Sequence, residues 1–258
     1  MCSSDLWYAP GTLIDLMWHG SVDGPTSAPA ALDVRGTYVP VAGDFNGDGY
    51  SDIFWYAPGI APDAAWFGGP TGLHAGPTPP NLVGTYVPVA GDFDGDGADD
   101  VYWYAPGPAP DALWRGGSRG LGVAVATTNV TGTFTPVSGD FDGNGADDIY
   151  WYAPGSTADA LWRGGASGLQ PVTLSRDVAG TYLPLSADLD GNGADDLIWY
   201  SPTGPDTLWL GSARGFATGP AYNIAGRCTP VIGRFDTGST TDVAWFSPSA
   251  PDVLGYSG

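Results

Sequence analysis

The residues best placed to do chemistry in this 258-residue chain are aspartates spaced two apart and separated by glycines. The clearest run is Asp92-Phe-Asp94-Gly-Asp96-Gly-Ala98-Asp-Asp100. It sets oxygen-bearing side chains at positions one, three, five and nine of a tight loop, and the carbonyl of position seven, Ala98, supplies a further oxygen. Carboxylates packed this closely repel one another unless a cation sits among them. Calcium, which takes roughly 6–8 oxygen ligands at roughly 2.3–2.6 Å, suits such a loop; magnesium, with its strict octahedron and retained waters, suits it less.

The loop recurs every 48 residues. Its other intact copies are Asp44, Asn46, Asp48 and Asp52 with the carbonyl of Tyr50; Asp140, Asp142, Asn144 and Asp148 with that of Ala146; and Asp188, Asp190, Asn192 and Asp196 with that of Ala194. Four calcium ions are therefore expected, one per intact loop. A fifth copy, Arg234 to Asp242, is degenerate: Arg234 replaces the first carboxylate and Gly238 removes the third. A guanidinium beside Asp236 and Asp242 would neutralise them internally, so no ion is expected there.

Composition narrows the function classes. All 28 acidic residues are Asp and all eight basic residues are Arg. Four dications would bring the formal charge of −20 to about −12. That balance argues against nucleic acid or an anionic membrane surface, both of which need a basic face. No apolar run approaches the ~18 residues that span a bilayer. The pairs Asp99-Asp100, Asp147-Asp148 and Asp195-Asp196 carry acid–base potential, but the second of each is a metal ligand and the pairs repeat, which speaks against a single active site. With no Glu, no Lys and no Ser-His-Asp order, the chain reads as non-catalytic.

The elements that must position these loops follow from one unit written repeatedly. Gly84 to Ala90 reads as a first short strand leading into a loop, Asp100 to Ala105 as a second, Ala112 to Arg115 as a third, and Val123 to Asn129 as a ragged fourth. Short strands punctuated by Gly and Pro predict antiparallel meanders. The second strand is apolar on both faces, as in Ile53-Phe-Trp55-Tyr-Ala57, so both faces must be covered. Four-stranded sheets arranged radially as blades do this; a linear β-solenoid is the alternative.

All eleven tryptophans fall on two repeat positions, in the second strand (Trp7, Trp55, Trp103, Trp151, Trp199, Trp245) and the third (Trp18, Trp66, Trp114, Trp162, Trp209). This regularity indicates packing between blades. Asp15, Asp63, Asp111, Asp159, Asp206 and Asp252 all precede the third strand, where a carboxylate can bond backbone amides. The residue after the third-strand Trp varies: His19, Phe67, Arg115, Arg163 and Leu210, with Tyr256 at the same repeat position after Gly255. It is either an outward position free to drift or one that faces ligand, with Arg115 and Arg163 the candidates to hydrogen-bond a sugar or carboxylate. Cys228 replaces a repeated Tyr and reads as a small buried thiol.

The expected organisation is an all-β propeller of four-stranded antiparallel blades over residues 7–258, in units 7–35, 36–83, 84–131, 132–179, 180–225 and 226–258. The first and last are incomplete, and an intact ring would have six or seven blades. Residues 1–6 read as non-native, adapter-derived sequence ahead of a truncated gene, the signal peptide being lost with the missing start.

Gly43-Asp-Phe-Asn-Gly-Asp-Gly49-Tyr-Ser-Asp52-Ile and its copies resemble the FG-GAP/VCBS-type repeats of integrin α-chain propellers and of secreted bacterial and fungal proteins. The resemblance implies calcium in the loops, an extracellular or cell-surface setting, and an adhesive or lectin-like role. A monomer binding a glycan or an extracellular protein is then expected, without membrane insertion. The alternative is an accessory domain of a larger secreted enzyme, such as a hydrolase, with catalysis located elsewhere. An EF-hand is rejected because loop position twelve is Trp rather than Glu and strands flank the loop.

Overall fold

A computed structural model describes residues 4–11, 13–19, 26–29, 34–122, 124–125, 127–174, 176–221, 223–224, 226–233, 240–247 and 253–255. Every regular element among them is a strand. With Gly and Pro closing each run after a few residues and no Glu or Lys to favour helix, short meanders are the accessible solution.

The first sheet has three strands, β1 (Ser4–Trp7), β2 (Leu16–His19) and β3 (Thr26–Pro29). Four complete four-stranded sheets follow. They are β4 (Val39–Gly43), β5 (Asp52–Tyr56), β6 (Ala64–Phe67) and β7 (His74–Ala75); then β8 (Val87–Gly91), β9 (Asp100–Tyr104), β10 (Ala112–Trp114) and β11 (Ala124–Val125); then β12 (Thr135–Gly139), β13 (Asp148–Tyr152), β14 (Ala160–Arg163) and β15 (Gln170–Val172); then β16 (Leu183–Ala187), β17 (Asp196–Tyr200), β18 (Thr207–Leu210) and β19 (Ala217–Thr218). The last sheet holds β20 (Thr229–Gly233), β21 (Asp242–Phe246) and β22 (Val253–Gly255). Neighbours in sequence are neighbours in every sheet. Residues Ser4 to Leu6, set outside the fold by the sequence reading, form β1 with Trp7 and pair with β2 in the register Asp5 to Trp18.

By its internal contacts the chain divides into two compact units, residues 1–90 with 97–131, and residues 91–96 with 132–258. In the first, Phe54 and Tyr56 pack at 5.4 and 5.1 Å between ring centres on Trp103 of the next sheet, while Trp55 turns the other way onto Tyr8 at 5.0 Å. In the second, Tyr150 and Tyr152 flank Trp199 in the same manner, and Tyr200 meets Trp245. The two-sided apolar pattern of the second strand is thus explained: alternate side chains serve successive blades. Strands β9, β13 and β17 are buried at every residue.

Among the described residues the aspartates before the third strand clip their blades; Asp252 lies outside them. Asp159, buried, accepts hydrogen bonds from Ala153 N at 2.8 Å, Val178 N at 2.8 Å and the Tyr150 hydroxyl at 2.9 Å. Asp63 and Asp206 each accept a matching pair of amide hydrogen bonds. Removing the carboxylate leaves buried donors unsatisfied, at about 1–3 kcal/mol each. Asp159→Ala is therefore expected to cost about 3 kcal/mol or more in urea unfolding, whereas truncating exposed Val172 costs less than about 0.5 kcal/mol. Cys228 is half-buried rather than buried, its amide donating to the Tyr200 hydroxyl.

Candidate metal centre

Each loop joins a first strand to a second, and two left-handed glycines fold it. In the Asp140 loop these are Gly143 and Gly145, with φ of 70° and 87°, a conformation that costs other residues dearly. The turn brings Asn144 N within 3.0 Å of Asp140 Oδ1 and Gly145 N within 2.8 Å of Oδ2. Asp44 and Asp188 hold their loops in the same way. Where position five is Asn, it ties the loop to the residue that follows the third strand: Asn144 Nδ2 donates to Gly164 O and Asn192 Nδ2 to Gly211 O, at 3.3 and 3.1 Å.

Position nine opens the second strand and is buried. Asp52, Asp148 and Asp196 are all 0% exposed. One oxygen of each accepts an amide hydrogen bond, from Gly68, Gly164 and Gly211 respectively. The other oxygen of Asp52 and of Asp148 has no hydrogen-bond partner. A buried carboxylate oxygen left this way is costly. Burial pushes Asp148 up to about 7 and Asp52 and Asp196 up to about 6, with the neighbouring loop carboxylates adding to the rise.

Carboxylate oxygens of Asp188, Asp190 and Asp196 lie within 4.8 Å of one another, as do those of Asp92, Asp94 and Asp96. These donors are hard oxygens, and with the unpartnered oxygens of Asp52 and Asp148 they fit a hard divalent ion. Asp100 also opens its second strand buried, accepting from Gly116 N at 2.8 Å. Ala98, Ala146 and Ala194, which carry the position-seven carbonyls, are buried, whereas Tyr50 is exposed. Of the degenerate copy, Arg234, Asp236 and Gly238 lie outside the described residues, while Asp242 is buried at the head of β21. Arg163 reaches Asp142, Nη1 to Oδ2 at 2.9 Å, and Arg115 is half-buried.

The residues that sequence reasoning missed are at position eight. Asp195 Oδ2 accepts from Asp140 N at 3.2 Å, and Asp195 N donates to Asp140 O at 2.7 Å, latching one blade's loop to its neighbour's. Asp147 binds Asp92 and Asp99 binds Asp44 by the same two bonds. A Cβ on Gly91 or Gly139 would come within 2.6 Å of these carboxylates, which accounts for glycine there. The paired aspartates are thereby engaged in structure: one latches, the other opens a buried strand.

The chain is an all-β protein whose four-stranded antiparallel sheets are blades of the β-propeller class. It aligns with an Agrocybe aegerita lectin, from a structure describing specific recognition of non-reducing terminal N-acetylglucosamine, at TM-score 0.65 and 15% identity over 95% of this chain and 71% of that one. It aligns also with a triple arginine-to-alanine mutant of AofleA from Arthrobotrys oligospora, at TM-score 0.57 and 14% identity over 98% of this chain and 82% of that one. The FG-GAP repeat family matches residues 36–64, which contain the Asp44 loop. No curated protein matches it. No helix among the described residues is long and apolar enough to cross a membrane.

Proposed function

We propose that this chain is a non-catalytic, calcium-stabilised binding module that works outside the cell, with a glycan as its ligand. The observation that carries the calcium is the pair of fully buried aspartates, Asp52 and Asp148, each with one carboxylate oxygen lacking any partner at the same repeat position. Calcium supplies that partner and offsets the clustered charge. The loop residues named above are its ligands, and they cross-brace first and second strands within a blade. Extracellular modules bind calcium at roughly 10⁻⁴–10⁻³ M, an affinity that works only where calcium is plentiful. The glycan assignment is supported by the likeness to a lectin that recognises N-acetylglucosamine.

Elemental analysis of protein dialysed to equilibrium against millimolar calcium, with the free ion subtracted, and calorimetric titration with calcium test the first part. One ion per intact loop is expected, and absence of stoichiometric calcium overturns it. A glycan array probed with calcium-loaded protein tests the second, with retention on glycans bearing a terminal N-acetylhexosamine expected. An array silent at micromolar protein overturns the glycan ligand while leaving the calcium intact.

A further inference from the structure

Three of the acidic loops lie wholly within one compact unit each, those beginning at Asp44, Asp140 and Asp188. Each carries three ligand aspartates and one asparagine, so their ligand charge is equal. They differ at one register position on the third strand. Trp66 pairs with Ile53, Trp162 with Ile149 and Trp209 with Leu197. The residue after each indole is Phe67, Arg163 or Leu210. Arg163 alone of the three carries charge, and its guanidinium sits 2.9 Å from Asp142 Oδ2. The Asp142 side chain is only 10% exposed, and its Oδ1 is buried with no hydrogen-bond partner. One oxygen of Asp142 is thus held by a guanidinium, while its other oxygen, like Oδ2 of Asp148 at the head of the next strand, is buried with no hydrogen-bond partner.

We propose that Arg163 is a built-in cation that sets the calcium affinity of the Asp140 loop below that of the Asp44 and Asp188 loops. This rests on the calcium reading above. A positive charge fixed against a ligand carboxylate repels the incoming dication and withdraws part of that ligand's negative charge, and calcium affinity follows ligand charge. Arginine stays protonated at any working pH, so the handicap is permanent. The loops then fill in sequence as calcium rises, the Asp140 loop after the other two. The protein reads calcium over a wider range than identical sites would allow.

The test is calorimetric titration of the calcium-stripped full chain with calcium chloride. Arg163→Leu is expected to fold, since Leu210 already occupies the equivalent place, and a thermal melt in chelator checks this. It should tighten one site about tenfold with unchanged stoichiometry. Adding Asp148→Asn to that variant should abolish the tightened site, which assigns it to this loop. Leu210→Arg should weaken a different site by a similar factor. Unchanged constants in Arg163→Leu, or a weakened site, overturn the proposal, the latter because it would make Arg163 a support that orients Asp142. If wild type and variants all bind no calcium, the calcium reading itself fails and this inference falls with it.

Discussion

Stripping calcium at pH 8 should lower the melting temperature by about 20 °C or more, and the same treatment at pH 5 should change it far less. A ligand that binds only the folded chain stabilises it by about 2.7 kcal/mol at one hundred times its dissociation constant. At 10 mM calcium and a constant of about 10⁻⁴ M, four loops together contribute about 11 kcal/mol. A domain of this size shifts by about 2–4 °C per kcal/mol. The pH dependence follows from the buried aspartates. Without metal, Asp148 is raised to about 7, chiefly by burial and also by Asp142 and Asp140 against the opposing Gly164 amide and Arg163, and Asp52 and Asp196 are raised to about 6, again chiefly by burial. The folded chain then binds more protons than the unfolded one between about pH 4 and pH 7, so metal-free stability falls as pH rises through that window. Calcium holds the same carboxylates deprotonated and reverses the slope, since protons compete for its ligands as pH falls. Melting curves at pH 5 and pH 8, with calcium and with chelator, should therefore diverge upward. A calcium increment that is absent, or identical at both pH values, defeats this account.

What could be read in advance was whatever repeats along the chain; what could not was whatever reaches sideways. The alternation in Ile53-Phe-Trp55-Tyr required both faces of the second strand to be covered, and the packing of Phe54 and Tyr56 on Trp103 and of Trp55 on Tyr8 is that cover. Aspartates ahead of the third strand were legible as amide acceptors because a turn gives a carboxylate few other partners. The latch from Asp195 to Asp140 was not legible. Its partners are 55 residues apart, and a period of 48 says that position eight recurs without saying which neighbour it meets. Arg163 shows the same limit. Variation after the third-strand indole was compatible with an outward or a ligand-facing role, and only the strand register brings its guanidinium to Asp142.

Replacing Trp199 with alanine should cost about 3–5 kcal/mol and about 10 °C or more of melting temperature. Trp199 is 1% exposed and meets Tyr152 at 5.1 Å, Tyr150 at 5.2 Å, Trp209 at 5.3 Å and Tyr182 at 6.3 Å. Two of these rings come from the preceding blade and one from its own third strand, so the indole holds sheets together as well as filling a core. An aromatic of this size buries about 150–250 Å², and rings fixed on several sides cannot collapse fully into the space left behind. Its Nε1 is buried without a hydrogen-bond partner, so no hydrogen bond is lost on truncation and the penalty is one of volume and contact. Trp199→Phe should accordingly recover about half or more of the loss, and half-exposed Leu183→Ala should change little. Chemical denaturation of the three variants in chelator separates this packing effect from the ions. A Phe variant as unstable as the Ala variant would show that the indole nitrogen has a role beyond packing, and equal stability of all three would remove the blade-to-blade aromatic contacts from the account of how this chain stays folded.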